Sequence, residues 1–410
     1  MNFPSWQPTQ QAAQEALARF LPNAGNHYAR TRNHDEGPEH RRNVSGLSPW
    51  LRHRLLLEQE VVQAAISQHG LGDAEKFVQE VYWRTYFKGW LEQHPDAWTG
   101  WLAALTEDQV RLDTDRALRE RYVQAVSART GIDCFDAWVQ ELVQTGYLHN
   151  HARMWFASIW IFTLQLPWSL GAAFFYEHLL DADPASNTLS WRWVGGLHTR
   201  GKHYLARPDN IAKYTNGRFN PARQLNTQAE PLDESEEERP PRVALELAAT
   251  PPAASHRLGL LVTQEDCHPQ SLALPSKPVA IGALPTSAGA SEAPPRGPAQ
   301  TAFGDGALAE GLRRGADHYG LDAATFGPDT WMSDILTWAH EHDLQTLVTA
   351  YAPIGPTRSA LHDLAASVAS EGITLIQLRR DYDSLAWPHA KAGFFGLKKK
   401  IPALVDALTP

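Results

Sequence analysis

Cysteine is scarce: two residues, Cys134 and Cys267, stand far apart in the chain. Two thiols form no disulfide framework, are too few for an all-cysteine iron–sulfur cluster, and fit a reducing compartment. No apolar run approaches the roughly 18 residues that a spanning helix needs. The N-terminus carries no basic-then-apolar leader, so a soluble, cytoplasmic protein with no membrane partner is predicted. Positive charge is also short. With 37 Lys and Arg against 46 Asp and Glu, the net charge is −9, which argues against a surface that coats nucleic acid throughout. A local exception is Arg30, Arg32, Arg41, Arg42, Arg52 and Arg54, which read as a solvated basic face or a nucleic-acid contact.

What is abundant is tryptophan, 15 residues against three methionines. Most tryptophans fill cores, but an excess also suits stacking on flat ligands and carrying electrons. The 410 residues leave room for two or three domains.

The organisation changes along the chain. Up to about residue 225, apolar residues recur every three and four positions over 47–68, 73–93, 106–128, 134–146, 147–165 and 169–180, which predicts helices. Residues 229–256 hold Asp233, Glu234, Glu236, Glu237 and Glu238, then Pro240, Pro241, Pro251 and Pro252, and read as a solvated linker. From 257 onward, short apolar runs at 258–263, 278–284, 347–351 and 373–378 read as buried strands. They are mixed with helices over 306–319, 330–342 and 357–370, the pattern of a parallel α/β unit. Residues 285–301, rich in Pro, Ala, Gly and Ser, read as a flexible insertion. The predicted division is therefore 1–228 all-α, 229–256 linker and 257–410 a smaller Rossmann-like α/β domain.

Chemistry concentrates in the helical part. Phe77, Glu80, Val81, Trp83, Arg84 and Phe87 share one helix side, which buries a carboxylate and a guanidinium among aromatics. Buried charges need a partner or a ligand. Asn150, Arg153 and Met154 share another face with the small Ala157 and Ser158, where something flat can approach. Asp183 before Pro184 reads as a helix N-cap. Asp181, Asn187, Trp191 and Trp193 then remain without a structural reason.

These segments resemble the photolyase/cryptochrome family. Glu80-Val81-Tyr82-Trp83-Arg84 is similar to its Glu-x-x-Trp-Arg helix. Thr145–Met154 resembles its flavin-contacting helix, and Asp181–Asn187 with Trp191-Arg192-Trp193 the loop that wraps the isoalloxazine. Tyr28–Asn33 and Val44–Pro49 resemble its phosphate-binding entrance.

The resemblance implies FAD as cofactor, with Tyr28, Ser45, Leu47 and Ser48 at the pyrophosphate. It places Arg84, Asn150, Asp181 and Asp183 at the flavin or ribose and pairs Arg153 with Asp181. Asn187 matches the residue facing flavin N5, where an amide both donates and accepts hydrogen bonds. Glu80, Trp83, Asn150, Met154 and Trp193 match the catalytic pocket for cyclobutane pyrimidine dimers. The implied partner is DNA, single- or double-stranded, with the lesion flipped out and stacked on Trp83 and Trp193. Trp191 and Trp168 match two electron-transfer tryptophans. A third is missing near Thr114 and Asp115, with Tyr122, Trp101, Trp155 and Trp160 as substitutes.

In the family the α/β antenna domain comes first, whereas here it follows the helical domain. Trp387–Lys400 resembles the antenna domain's closing helix. The segment Ala352–Pro356 lacks the acidic residue of folate-binding antennae. Two functions follow from the resemblance: light-driven dimer repair, or a blue-light photoreceptor with a signalling partner. A third reading is a redox flavoprotein in which light is incidental. Other motifs carry less. Gly196–Lys202 has phosphate-loop spacing, but His203 stands where a Ser or Thr would ligate magnesium. His149 with His151, and His340 with His342, are spaced wrongly for metal on a helix, so no metal is predicted.

Overall fold

The computed structural model describes residues 6–408 apart from Glu236, Glu237, Pro252 and Ala254. The acidic and proline positions of the linker at 236, 237 and 252 therefore lie outside the described residues. The first part is helical: α1 (Gln10–Phe20), α2 (Asn26–Thr31), α3 (Ser48–Arg52), α4 (Glu58–Glu92), α5 (Asp96–Thr114) and α6 (Arg116–Val126). It continues with α7 (Asp133–Thr145), α8 (Asn150–Ser158), α9 (Trp168–His178), α10 (Pro184–Gly195) and α11 (Pro208–Tyr214). The second part holds β1 (Leu258–Val262), β2 (Ala280–Ala283), α12 (Pro298–Tyr319), β3 (Ala323–Thr325) and α13 (Trp331–Glu341). It ends with β4 (Thr346–Ala350), α14 (Pro356–Ser370), β5 (Thr374–Leu378), α15 (Asp381–Ala386), α16 (Phe395–Lys398) and α17 (Ile401–Leu408). No helix among the described residues is long and apolar enough to cross a membrane.

The strands form one parallel sheet in the order β3-β2-β1-β4-β5. One row of its register runs Ala323, Ile281, Leu260, Val348, Ile376. Leu258, Leu260 and Val262 pack toward Leu308 and Leu312 of α12, while Leu261 packs toward α13 and α14. Both faces are covered, which is why these strands read as unbroken apolar runs.

Several predicted boundaries are corrected. The expected helix over 47–68 breaks after Arg52 and restarts at Glu58. Arg54 takes a left-handed φ of 50° there. Its guanidinium donates to Glu58 at 3.2 Å and Asp383 at 2.6 Å, so ion pairing overrides the apolar period. The stretch at 73–93 continues α4, interrupted only at Gly70, whose φ of 73° is open to glycine. The expected helix over 106–128 breaks at Asp115, which caps α6 by accepting from Leu118 N at 3.0 Å. The expected helix over 147–165 begins only at Asn150, and Ile159–Thr163 form a π turn.

The basic patch is also corrected. Arg52 and Arg54 are buried, with Arg52 held by both oxygens of Glu265 at 2.6 and 2.8 Å. Arg54 also reaches Asp266 at 3.4 Å. Arg41 is buried against Glu141. Arg30 and Arg42 alone of the six are exposed.

The 285–301 insertion is docked rather than flexible. Gly297 N donates to Glu177 O at 2.9 Å, and Arg296 donates to Thr286 O at 2.7 Å and to Gln264 at 3.1 Å. The linker is exposed but pinned: Val243 N donates to Gln93 O at 2.8 Å, and Glu234 pairs with Arg192. Trp387–Lys400 does not close the sheet. It breaks into a 3-10 turn and the short α16, and its apolar side packs on α4.

Two predictions follow from the junction. Removing Arg54 leaves the Glu58, Asp266 and Asp383 carboxylates buried without their shared cation, so Arg54→Ala is expected to cost about 3–5 kcal/mol. Urea unfolding measures it, and a loss within experimental error would show that these carboxylates have other compensation. Burial, reinforced by Arg52, pushes the His53 imidazole down to about 3, and burial with Arg380 nearby pushes His268 down to about 4. The unfolded chain takes up these protons near 6.5, before the folded chain does. Stability is thus full above 6.5 and is lost as pH falls toward about 4, at up to about 1.4 kcal/mol per pH unit for each histidine. Thermal midpoints between pH 7 and pH 5 test this, and a flat profile would contradict it.

Candidate functional site

A cavity of about 390 Å³ opens in the helical part. Its position follows from how few residues enforce the local chain path. Gly146 ends α7 at φ 67°, and Leu180 packs where a Cβ on it would stand, 2.6 Å away. Leu180 N donates to Gly146 O at 2.9 Å, which anchors the turn carrying Asp181 to Asp183. Asp183 then caps α10 by accepting from Ser186 N at 2.7 Å, with Pro184 in its first turn.

The floor of the cavity is charged, with both carboxylates buried. Arg153 donates to Asp181 at 3.2 Å and to Leu148 O at 3.0 Å. Arg84 stands between two carboxylates, 3.6 Å from Asp181 and 3.4 Å from Asp183. Burial alone would raise Asp183, but the cations Arg84, Lys88 and Arg52 hold it down at about 2. Asp181 is likewise kept below its ordinary value, against its burial, by Arg153 and Arg84. Both are carboxylates at neutral pH.

The mouth is different. Glu80 accepts from Arg32 at 2.6 Å and does not pair with Arg84, four residues on. Burial pushes the Glu80 carboxyl up, against the pull of Arg32 and Lys76. Glu80 and Arg32 are both partly exposed, so Glu80 is half-buried at the mouth rather than enclosed in the core.

The structure brings together Tyr28, Ser45, Leu47, Ser48, Glu80, Trp83, Arg84, Asn150, Arg153, Met154, Asp181, Asp183, Asn187, Trp191 and Trp193, all of which line this one cavity. Trp168 does not line it, and its ring has the Arg192 guanidinium 5.9 Å away. The ring neighbours of Trp191 are Phe175 at 5.1 Å, Trp160 at 6.1 Å and Phe156 at 6.4 Å. Gly171 makes that approach feasible, since a Cβ there would meet Trp191 at 2.3 Å and Trp160 Nε1 at 2.9 Å. Tyr122 stands 6.0 Å from Trp160. Trp101 packs with Trp98 and Tyr176, and Trp155 with Trp138 and His151.

Sequence reasoning missed Tyr147, Phe175, Ser186 and Ser190 in the lining. The signal for Tyr147 was available, since it lies inside the Thr145–Met154 segment; in the structure Arg41 lies 4.3 Å over its ring. His149 and His151 bond backbone carbonyls, Arg32 O at 3.0 Å and Asn33 O at 2.8 Å.

The donor set fits a flat, anionic, hydrogen-bonding group. Trp191 Nε1 is buried without a hydrogen-bond partner, and Arg84 Nη1 has only its ion pair with Asp183. Asn187 spends its N–H on Ala172 O at 2.9 Å, which fixes the amide plane. Buried polar groups left open in this way mark a binding site more readily than a core.

Comparison with known proteins agrees. Residues 77–230 match the family described as the FAD binding domain of DNA photolyase. The chain is 34% identical over 181 residues to a deoxyribodipyrimidine photo-lyase of Streptomyces griseus, covering 41% of this chain and 38% of that one. A deoxyribodipyrimidine photo-lyase of Thermus thermophilus is 32% identical over 208 residues, 50% of this chain and 46% of its own. A cryptochrome DASH of Natronomonas pharaonis is 32% identical over 174 residues, 42% of this chain and 35% of its own. The chain thus matches less than half the length of each of these relatives.

The cavity floor sets an expectation for the cofactor. Arg153→Ala leaves Asp181 buried with half its cationic support, and FAD retention should fall roughly tenfold, by analogy with the loss of a charge-assisted hydrogen bond. The ratio of visible to ultraviolet absorbance after purification reports it. Full occupancy in the variant would detach Arg153 from cofactor binding.

Proposed function

The chain belongs to the photolyase/cryptochrome family through its FAD-binding domain, and on that premise we propose that it is a light-driven flavoprotein that repairs cyclobutane pyrimidine dimers in DNA. One observation carries the proposal: the residues matching the dimer pocket and those matching the flavin site line the same cavity. FAD, when bound, supplies the electron that light delivers to the lesion.

The remaining roles belong to the protein. Tyr28, Ser45, Leu47 and Ser48 hold the pyrophosphate, and Arg84, Asn150, Asp181 and Asp183 orient the flavin and ribose, with Arg153 steadying Asp181. Asn187 presents its amide to the ring. Trp83 and Trp193 form apolar walls for an extruded lesion, and Met154 fills the space between flat surfaces with an adaptable side chain. Glu80 is the group that meets a pyrimidine carbonyl. A carbonyl only accepts, so Glu80 must donate, and its raised proton affinity suits that task. Trp191 and Trp168 relay electrons to the cofactor.

We read the chain as an all-α domain over 1–228 and a Rossmann-like α/β domain over 257–410, joined by 229–256. That order is reversed relative to the family's usual one. The sheet following α11 supports the reading.

The second reading is a blue-light photoreceptor without repair activity, with a signalling partner. It draws support from Arg52, which touches both Asp183 in the cavity, at 3.9 Å, and Glu265 beyond β1. A charge change at the cofactor therefore has a direct route out of the helical part.

Repair of a dimer-bearing oligonucleotide under blue light separates the readings. The wild type should restore the pyrimidines, and Glu80→Ala, which removes the donor that Gln would keep, should lower the rate roughly tenfold, the size of one hydrogen bond, with FAD still bound. Photoreduction without repair in the wild type would favour the photoreceptor. Equal repair by the variant would remove Glu80 from the chemistry.

A further inference from the structure

α4 presents Glu80, Trp83 and Arg84 to the cavity, and the end of the chain covers another side of it. Thr85 donates to Tyr382 Oη at 3.1 Å. Trp387 lies against Gly89, where a Cβ would meet its ring at 2.7 Å. Gln63 donates to Leu408 O at 3.0 Å, on the far side of the Gly70 break. One contact of this segment reaches the site itself. Phe394 stacks on Trp83 with ring centroids 3.9 Å apart and planes 14° from parallel. Trp83 lines the cavity and Phe394, 4% exposed, does not, so Phe394 holds the indole from behind.

We propose that Phe394 is a positioning residue: it fixes the plane of Trp83, and so sets how well a planar base stacks against that wall. The proposal rests on the repair reading. The terminal χ2 torsion of tryptophan is broad, and a partly exposed indole held only by its helix samples several tilts. A ligand that stacks on it must then stop that motion. Phe394 stops it beforehand, because a parallel ring at van der Waals distance disfavours every tilt but one. The other ring neighbours of Trp83 do not share this geometry: Tyr86 stands edge-on at 89° and Phe87 is tilted by 38°. Preorganisation of this kind raises affinity without adding a contact to the ligand. The terminal segment, remote in sequence from the flavin-binding helices, thereby becomes part of the recognition site.

The test uses the full-length, FAD-loaded protein and oligonucleotides with and without a single cyclobutane thymine dimer. Phe394→Ala should weaken dimer binding roughly threefold to tenfold, the range of one aromatic pair, with binding to the undamaged strand unchanged. Phe394→Tyr should restore it. In a Trp83→Ala background, Phe394→Ala should have no further effect. An equal loss in that background, or unchanged or tighter dimer binding in Phe394→Ala alone, would overturn the proposal. Should Phe394→Ala fail to fold, Phe394→Leu keeps most of the volume without the flat face and serves the same comparisons. If the wild type binds both oligonucleotides alike, the repair reading fails. The stack is then judged separately by a urea-unfolding cycle over Trp83 and Phe394, where absence of coupling would overturn the positioning role.

Discussion

The structure depends on a buried chain of alternating charges. Asp181 lies between Arg153 and Arg84, Asp183 between Arg84 and Arg52, and Glu265 takes both nitrogens of Arg52. Beside it, Arg54 gathers Glu58, Asp266 and Asp383, and Arg380 closes on Asp266 at 2.6 Å. Each group is costly to bury by itself and tolerable only with its neighbour. The line begins under the cofactor cavity and ends in the loop after β1. Thr357 at the start of α14 bonds Glu265 at 3.0 Å, so the helix that covers one face of the sheet is tied to the same line.

This arrangement explains which parts could be read from the sequence. The helical run up to about 225, the strands β1, β2, β4 and β5, and most of the cavity lining were legible because each rests on local signals: an apolar period, an Asp-Pro cap, or motifs in family order. Arg52 and Arg54 were misread as a surface patch because their partners Glu265, Asp266 and Asp383 lie more than 200 residues away. No local pattern encodes such a pairing. β3 was missed because Ala323-Ala324-Thr325 is short, edge-placed and partly exposed, and has no apolar run to show. Trp387–Lys400 was read as a single closing helix of the α/β part, yet it is a 3-10 turn and a short helix whose aromatics fit α4, where Gly89 leaves room. The packing of aromatic rings around Trp191 was not legible. Gly171 decides which rings can meet, and a glycine in an apolar helix announces nothing about its neighbours.

The cavity itself joins two electrostatic regimes. At the floor, cations outnumber what burial would tolerate alone, and the carboxylates stay ionised. At the mouth, Glu80 has one partly exposed cation, and burial raises its proton affinity. Acids lining one cavity are thereby pushed in opposite directions: Asp181 and Asp183 are held ionised beside their arginines, whereas the Glu80 carboxyl holds its proton more tightly.

The tether of Arg52 to Glu265 has a consequence for how the molecule can be divided. Topologically the chain looks like two pieces on a string, and a protein engineer would cut at the string to obtain a minimal flavin carrier. Such a fragment would keep Arg52 and Arg54 but lose Glu265, Asp266 and Asp383, and it would also lose the apolar lid that Tyr382, Trp387 and Phe394 lay over α4. The string is thus the wrong place to cut, because the arginines on one side would stay in the fragment and their carboxylates would leave with the other.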